Sequence, residues 1–357
     1  MLNFSLEVLS PVHIGSGERI TKWEYTIKDN FLEVYPYQHL IAHLLEKNPA
    51  FLQNLRILMQ NKDFNLSMLR ELGIDVGNPL YRIEIVGSLK TNEVELFIKS
   101  LGMPYIPGSE LKGALRTAYM GGLLLADKEL RERIRLMLRQ KVNNKREFEE
   151  FGSKGKGFEE SFFNPVGNVD AKYDLFKAIA FPDLFFELRD LCVEVPKMIG
   201  SDKSLYACES IKVGTRLEGK LLIERSLIDR MIRVENLNYK YLDFSWDRLK
   251  ELSNSFYSLV LDLEMEFFKN MPEVKTHLQE IKRRMEEGIL LRIGKHQGYL
   301  STTIMAVFKK EDPELFERVY DASVSQSRKE KPKTRRISSK NLTFGWVLIK
   351  NTGYLRA

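Results

Sequence analysis

Cysteine is almost missing from this chain. Its 357 residues include only Cys192 and Cys208, too few for a disulfide framework or a four-cysteine zinc site, so both are expected to be small buried apolar residues. No run of about twenty apolar residues occurs. The opening Met1-Leu2-Asn3-Phe4-Ser5-Leu6-Glu7 lacks a basic stretch and interrupts its apolar positions, so neither a membrane span nor a secretory leader is expected. A strong excess of one charge is lacking too. Lys and Arg number 55 against 49 Asp and Glu, a net charge of +6, and the pI is near 9.0, which favours a polyanionic partner without requiring one. What is present, 43% hydrophobic and 29% charged residues, describes a soluble, cytoplasmic, well-folded protein of about two domains.

Residues Asn3 to Leu9 alternate apolar and polar, the period of a half-buried strand. Gly15-Ser16-Gly17 reads as the turn that follows it. Two short strands, Lys22 to Lys28 and Phe31 to Tyr35, flank Asp29-Asn30, a pair suited to a tight hairpin because both tolerate left-handed backbone angles. Helical periodicity runs from about Tyr37 to Leu72 with a break at Pro49. Strands at Tyr81 to Val86 and Val94 to Ile98 read as a second hairpin. A helix then opens with Ser109 at the N-cap position and an apolar stripe of Leu111, Ala114, Leu115 and Ala118, and a basic helix follows from Lys128.

Phe151 to Gly157 is a basic, glycine-rich spacer and an approximate domain boundary. Beyond it come four strands between Ala178 and Ile223, long helices from Trp246 and Glu273, a strand at Ile289 to Ile293, a loop at Gly294 to Gly298, a basic stretch from Ser325 to Lys340, and a final strand from Phe344. Helices and strands interleave without regular alternation, which predicts an α+β fold. Two ferredoxin-like (RRM-like) units with helical insertions fit the pattern, over residues 1–155 and 156–357.

Gly108-Ser-Glu-Leu-Lys-Gly113 has the glycine spacing of a P-loop, but Ala114 and Leu115 stand where that motif needs Lys and Ser or Thr, which excludes nucleotide hydrolysis here. A glycine turn feeding a helix start, with Lys112 and Arg116 one turn apart, remains either a phosphate cradle or an ordinary helix with a solvated basic face. The loop Gly294-Lys295-His296-Gln297-Gly298, with Arg292 before it and Tyr299 after, mixes cation, amide and aromatic as single-stranded RNA sites do; it is equally a plain turn. His39 and His43 lie four apart on a helix but lack a third ligand, so no metal and no cofactor is expected. His13 and His296 are candidates for the acid and base of metal-independent RNA cleavage, and Asp29 for a cleaving carboxylate, unless it is simply a turn residue.

The stretch Pro104-Tyr-Ile-Pro-Gly-Ser-Glu-Leu-Lys-Gly-Ala-Leu-Arg-Thr-Ala118 resembles the signature of the RAMP superfamily of CRISPR proteins. Pro11 to Gly17, Leu291 to Gly298 and Phe344 to Leu348 are similar to other stretches of that family, in the same order. Ala180-Phe-Pro-Asp183 and Ala207-Cys-Glu-Ser-Ile-Lys-Val-Gly-Thr-Arg216 resemble the fifth-subunit family of the type III-A Csm effector complex. The resemblance implies two RAMP domains and a non-catalytic subunit that binds crRNA. Such a subunit caps the filament of repeated backbone RAMP subunits at the crRNA 3′ end and supports crRNA maturation with a recruited trimming nuclease. By the same resemblance the RNA-binding residues are His13, Ser109, Lys112, Arg116, Arg292, Lys295, His296, Arg335 and Arg336. The alternatives are a metal-independent endoribonuclease cleaving repeat RNA through His13 or His296, and a scaffold that never touches RNA.

Overall fold

The computed structural model describes residues 1–47, 65–89, 91–143, 174–200, 206–235, 243–323 and 335–354. The helix break expected at Pro49, the Phe151 to Gly157 spacer with the domain boundary expected there, and the basic residues Arg328 to Lys333 lie outside them. In the first part of the chain the strands are β1 (Leu2–Val8), β2 (Gly15–Thr21), β3 (Tyr25–Lys28), β4 (Phe31–Val34), β5 (Tyr81–Ile85), β6 (Glu93–Phe97), β7 (Lys99–Ser100) and β8 (Met103–Ile106). They continue with β9 (Ile179–Ala180), β10 (Leu184–Phe185), β11 (Leu191–Glu194), β12 (Lys197–Met198), β13 (Ala207–Ile211), β14 (Arg216–Ile223), β15 (Ile289–Arg292), β16 (Arg336–Ile337) and β17 (Trp346–Tyr354). The helices are α1 (Tyr37–Lys47), α2 (Leu66–Glu71), α3 (Gly108–Ala126), α4 (Lys128–Val142) and α5 (Arg225–Glu235), then α6 (Trp246–Phe267), α7 (Pro272–Arg284), α8 (Tyr299–Thr302), α9 (Met305–Glu311) and α10 (Pro313–Ser323).

An antiparallel sheet in the order β15-β17-β1-β14-β9 and a mixed sheet in the order β2-β6-β13-β11-β5-β4-β3 form the frame. The fold is α+β, as the interleaved pattern predicts. β1 lies between β17 and β14, and its Leu2, Phe4, Leu6 and Val8 are all buried, as the alternation requires. Both large sheets draw strands from before residue 144 and from after residue 173.

α3 and α6 cover the antiparallel sheet and pack on each other through Gly121 and Gly122. A Cβ on Gly122 would stand 2.2 Å from the Leu252 carbonyl oxygen, so small residues set the helix separation here. α4 is basic, but much of its charge is engaged inside the fold. Arg139 reaches Asp312 at 2.8 Å, Arg135 approaches the same carboxylate at 3.8 Å, and Arg131 lies 3.9 Å from Glu311. Tyr35, Leu40, Leu44, Leu66, Leu69 and Val76 form a separate small core under α1 and α2.

Several sequence expectations need correction. Asp29 and Asn30 do turn the β3–β4 hairpin, with φ of 49° and 63°, but β5 and β6 are no hairpin: β11 and β13 stand between them. Gly15 to Gly17 belong to β2. The register shifts between Gly15 and Arg19 opposite β6, and Gly17 has φ 88°, so the glycines serve a bulge in a strand. Ser109 is not the helix cap. α3 starts at Gly108, whose N–H donates to Asp183 Oδ1 at 2.8 Å.

Candidate nucleic-acid interface

Three segments far apart in sequence meet at the mouth of β2. The residues linking β1 to β2 bring His13 inward, where it is fully buried. Its Nδ1 is 2.6 Å from the Glu209 carbonyl oxygen and its Nε2 is 3.4 Å from Glu95 Oε2. The His13 carbonyl accepts the Lys295 N–H at 2.7 Å, which docks the glycine loop onto this turn. Gly294 is required there twice over: its φ is +78°, and a Cβ would meet His13 O at 2.4 Å. Its N–H donates to Glu110 Oε2 at 3.1 Å, tying the loop to the first turn of α3.

The side chains converge on Tyr206, at the start of β13. Lys295 Nζ lies 4.9 Å from its ring centre, Arg19 Cζ 5.1 Å and Arg336 Cζ 5.4 Å, cation–π distances that hold three charges around one ring. Arg336 also hydrogen-bonds the Tyr206 hydroxyl and sits 3.0 Å from His296 Nδ1. No carboxylate pairs with Arg336 among the described residues. Glu95 collects the other cations: Arg19 at 2.8 Å and Lys295 at 2.7 and 2.9 Å. Burial pushes the Glu95 carboxyl up, but His13, Lys295 and Arg19 outweigh it and hold it at about 2. A cavity of about 220 Å³, lined by Gly15, Gly17, Glu18, Glu95 and Lys295, opens beside this cluster.

A second cavity of about 240 Å³ lies between α3 and the loop, lined by Ser109, Gly113, Thr117, Arg292, Gln297 and Ser301 among others. The structure therefore brings together His13, Lys295, His296 and Arg336, and sets Ser109 at the neighbouring cavity. Lys112 and Arg116 point elsewhere, toward Asp174, which Arg116 bonds at 2.6 Å. Burial lowers the Lys112 pKa; Asp174 opposes that effect and Arg116 and Lys177 add to it. Arg292 and Arg335, expected at the RNA surface, are buried instead. Arg292 pairs with Glu264 at 2.7 Å, donates to Ser301 Oγ and the Phe344 carbonyl, and lies 4.7 Å from the Trp346 ring. Arg335 stands 3.7 Å from the same Glu264 and over Phe267. Each guanidinium is held by a carboxylate within the protein.

Arg19, Glu95 and Tyr206 were not singled out from the sequence. Arg19 follows the Gly15–Gly17 stretch by two residues and Tyr206 immediately precedes the Ala207 motif, which is the only local signal either carries. Glu95 is one charge in an alternating strand, with nothing to mark it.

The His13 and His296 rings lie stacked, 6.2 Å between centres. His296 has φ 72° and a pKa lowered to about 3, chiefly by burial and then by Arg336, His13 and Lys295. His277 is lowered to about 4 by burial and by Arg292. Both rings stay neutral in the folded chain and take up protons once unfolded, below the usual histidine value of about 6.5. Their contribution to stability is thus complete above about pH 6.5 and is lost as pH falls toward about 4 and 3. Urea midpoints should drop on acidification through this range, and His296→Gln should drop less than the native chain.

The RAMP superfamily model matches residues 5–276, about three-quarters of the sequence. The chain belongs to the RAMP superfamily. This RAMP chain is similar to the CRISPR system Cms protein Csm5 of Methanocaldococcus jannaschii, 26% identical over 330 residues that cover 86% of this chain and 73% of that protein. Its fold matches a chain in a cryo-EM structure of a Csm–crRNA–target RNA ternary complex of a type III-A CRISPR–Cas system, with a TM-score of 0.79 and 24% identity over 98% of this chain and all of that one. It also matches the crystal structure of T. onnurineus Csm5, with a TM-score of 0.70 and 21% identity over 96% and 99% of the two chains. No helix among the described residues is long and apolar enough to cross a membrane.

Proposed function

We propose that this RAMP chain is a non-catalytic crRNA-binding subunit of a type III-A Csm effector complex, capping the filament of backbone RAMP subunits at the crRNA 3′ end and supporting crRNA maturation in the cytoplasm. The observation that carries the reading is the convergence of Arg19, Lys295 and Arg336 on Tyr206, beside an open cavity and next to the family's glycine loop. Tyr206 itself is buried, and the half-exposed cations Arg19 and Lys295 beside it can grip backbone phosphates without reading sequence, which a subunit serving many different spacers requires. The Csm5 proteins it resembles and the RNA-containing complex that shares its fold support the same assignment.

A metal-independent nuclease would draw on His13 and His296, which do lie side by side. Against it, His13 is fully buried with Nδ1 engaged by a backbone carbonyl, and His296 Nε2 is shut off from solvent. Incubation of the pure protein with repeat RNA in EDTA is expected to leave the RNA intact; a fixed-length product abolished by His13→Ala or His296→Ala would replace the binding role with catalysis.

The assembly reading is tested by mild affinity purification of the tagged protein from its native cells. Short RNAs sharing a repeat-derived 5′ tag should co-purify with several other RAMP subunits; a lone protein from cells expressing a CRISPR array would overturn the reading. Within the complex, Lys295→Ala combined with Arg336→Ala should weaken binding for every RNA sequence alike. It should also flatten the log–log salt dependence by about 0.7 for each phosphate no longer neutralised.

A further inference from the structure

Glu95 is the odd member of the cationic cluster. A site for RNA phosphates has an ionised carboxylate in its midst, 2.7 Å from Lys295 Nζ and 2.8 Å from Arg19 Nη2. One explanation is structural, with Glu95 holding the glycine loop in place. The loop has other anchors, however. Ile293 N–H donates to the Gly345 carbonyl, Lys295 N–H to the His13 carbonyl, and Gly294 N–H to Glu110. The cations also have no need of a counter-charge for their own burial, because the Lys295 and Arg19 side chains are 45% and 47% exposed. The Glu95 side chain is only 9% exposed and fixed on the interior strand β6. An almost enclosed anion thus faces two half-exposed cations beside an open cavity, and a Cβ on Gly17 at its rim would meet no atom within 4 Å.

We propose that Glu95 is a built-in stand-in for an RNA phosphate: it occupies Arg19 and Lys295 in the free chain, gives them up when RNA enters, and so limits how tightly the site binds. The inference rests on the RNA-binding role assigned to this cluster. Ion pairs with a half-exposed cation can exchange the partner of that cation for a group arriving from solvent. When the two cations swing to phosphate, the ionised carboxylate is left with His13, 3.4 Å away, and must recruit a cation from solution. That opposes binding and cancels part of the counterion release that drives it. Glu93, which holds the other side of Arg19 at 2.8 Å and is itself exposed, contributes a smaller effect of the same kind.

The test is titration of a short fluorescein-labelled oligouridylate with the full-length protein, alone and in the assembled complex, at a series of salt concentrations. Glu95→Gln keeps the shape and removes the charge. It should bind several-fold tighter than the native chain, with a salt slope steeper by about 0.7 for each cation released. Glu93→Gln, at an exposed position where folding is not at stake, should shift affinity the same way by less. Adding Lys295→Ala to Glu95→Gln should remove most of the gain. Unchanged or weaker binding by both glutamine variants, with Lys295→Ala still impaired, would overturn the stand-in role and leave the RNA site standing. Native-like binding by Lys295→Ala and Arg336→Ala together would remove the site itself, and the proposal with it.

Discussion

Arg292→Ala should cost about 3–5 kcal/mol of folding stability, the loss typical when one partner of a buried ion pair is removed. Both members are almost wholly enclosed, at 2% and 1% side-chain exposure, so the Glu264 carboxylate would be left inside the protein with, among the described residues, only Arg335, 3.7 Å away, to answer it. The Phe344 carbonyl and Ser301 hydroxyl lose their donor at the same time. A urea titration should show the midpoint falling with little change in slope. Arg292→Met combined with Glu264→Leu and Arg335→Met should recover part of the loss, because no member of the buried triad then keeps its charge without the others. RNA affinity should fall in Arg292→Ala as well, since β15 ends at this residue and launches the loop. The salt slope should stay as in the native chain, because the guanidinium is held inside the protein. That separates a residue which positions the loop from one which touches phosphate.

Two glycines five residues apart in the signature helix should respond in opposite directions to the same substitution. At Gly108 a Cβ would stand 1.7 Å from the Phe181 carbonyl oxygen and 3.2 Å from the Pro182 carbonyl carbon. Gly108→Ala must push the 181–183 segment away and break the bond from the Gly108 N–H to Asp183, a strain of about 1–3 kcal/mol or more. At Gly113 a Cβ meets nothing within 4 Å. The residue is in mid-helix, so Gly113→Ala should stabilise by about 0.4–1 kcal/mol through the lower entropy of the unfolded chain. Thermal melts of the two variants side by side decide the matter. Loss of stability in both would mean that the helix face at Gly113 is covered by something the cavity does not reveal.

Local periodicity made much of the fold legible. The alternation of Leu2, Phe4, Leu6 and Val8 marked a strand with one buried face, and Asp29-Asn30 marked a turn because few other residues accept positive φ at both positions. Pairing was less legible. Tyr81 to Val86 and Val94 to Ile98 look like a hairpin because they are close in sequence, yet their sheet neighbours arrive from residues 191–194 and 207–211. Gly15 to Gly17 carried the signature of a turn, and a bulge uses the same backbone freedom. Of the residues that gather around Glu95 and Tyr206, motifs announced His13, Lys295 and His296 as candidates. Arg292 was misplaced because the burial of an arginine depends on a carboxylate 28 residues away on another element. Glu95 and Tyr206 were silent because their roles come from neighbours that only the fold supplies.

The central strand of the antiparallel sheet, β1, takes one of its two partners, Trp346 to Tyr354, from hundreds of residues further along the chain. Before β17 docks, Phe4 and Leu6 have β14 on one side and nothing on the other. Closure of the sheet is a contact of very long sequence separation and therefore slow, and until it forms the chain carries an unpaired apolar edge, a condition that invites aggregation or chaperone capture. The glycine loop is fixed by the turn that follows β1 and by Gly345, which directly precedes β17. The loop should therefore reach its final position only when this sheet closes, late and all at once.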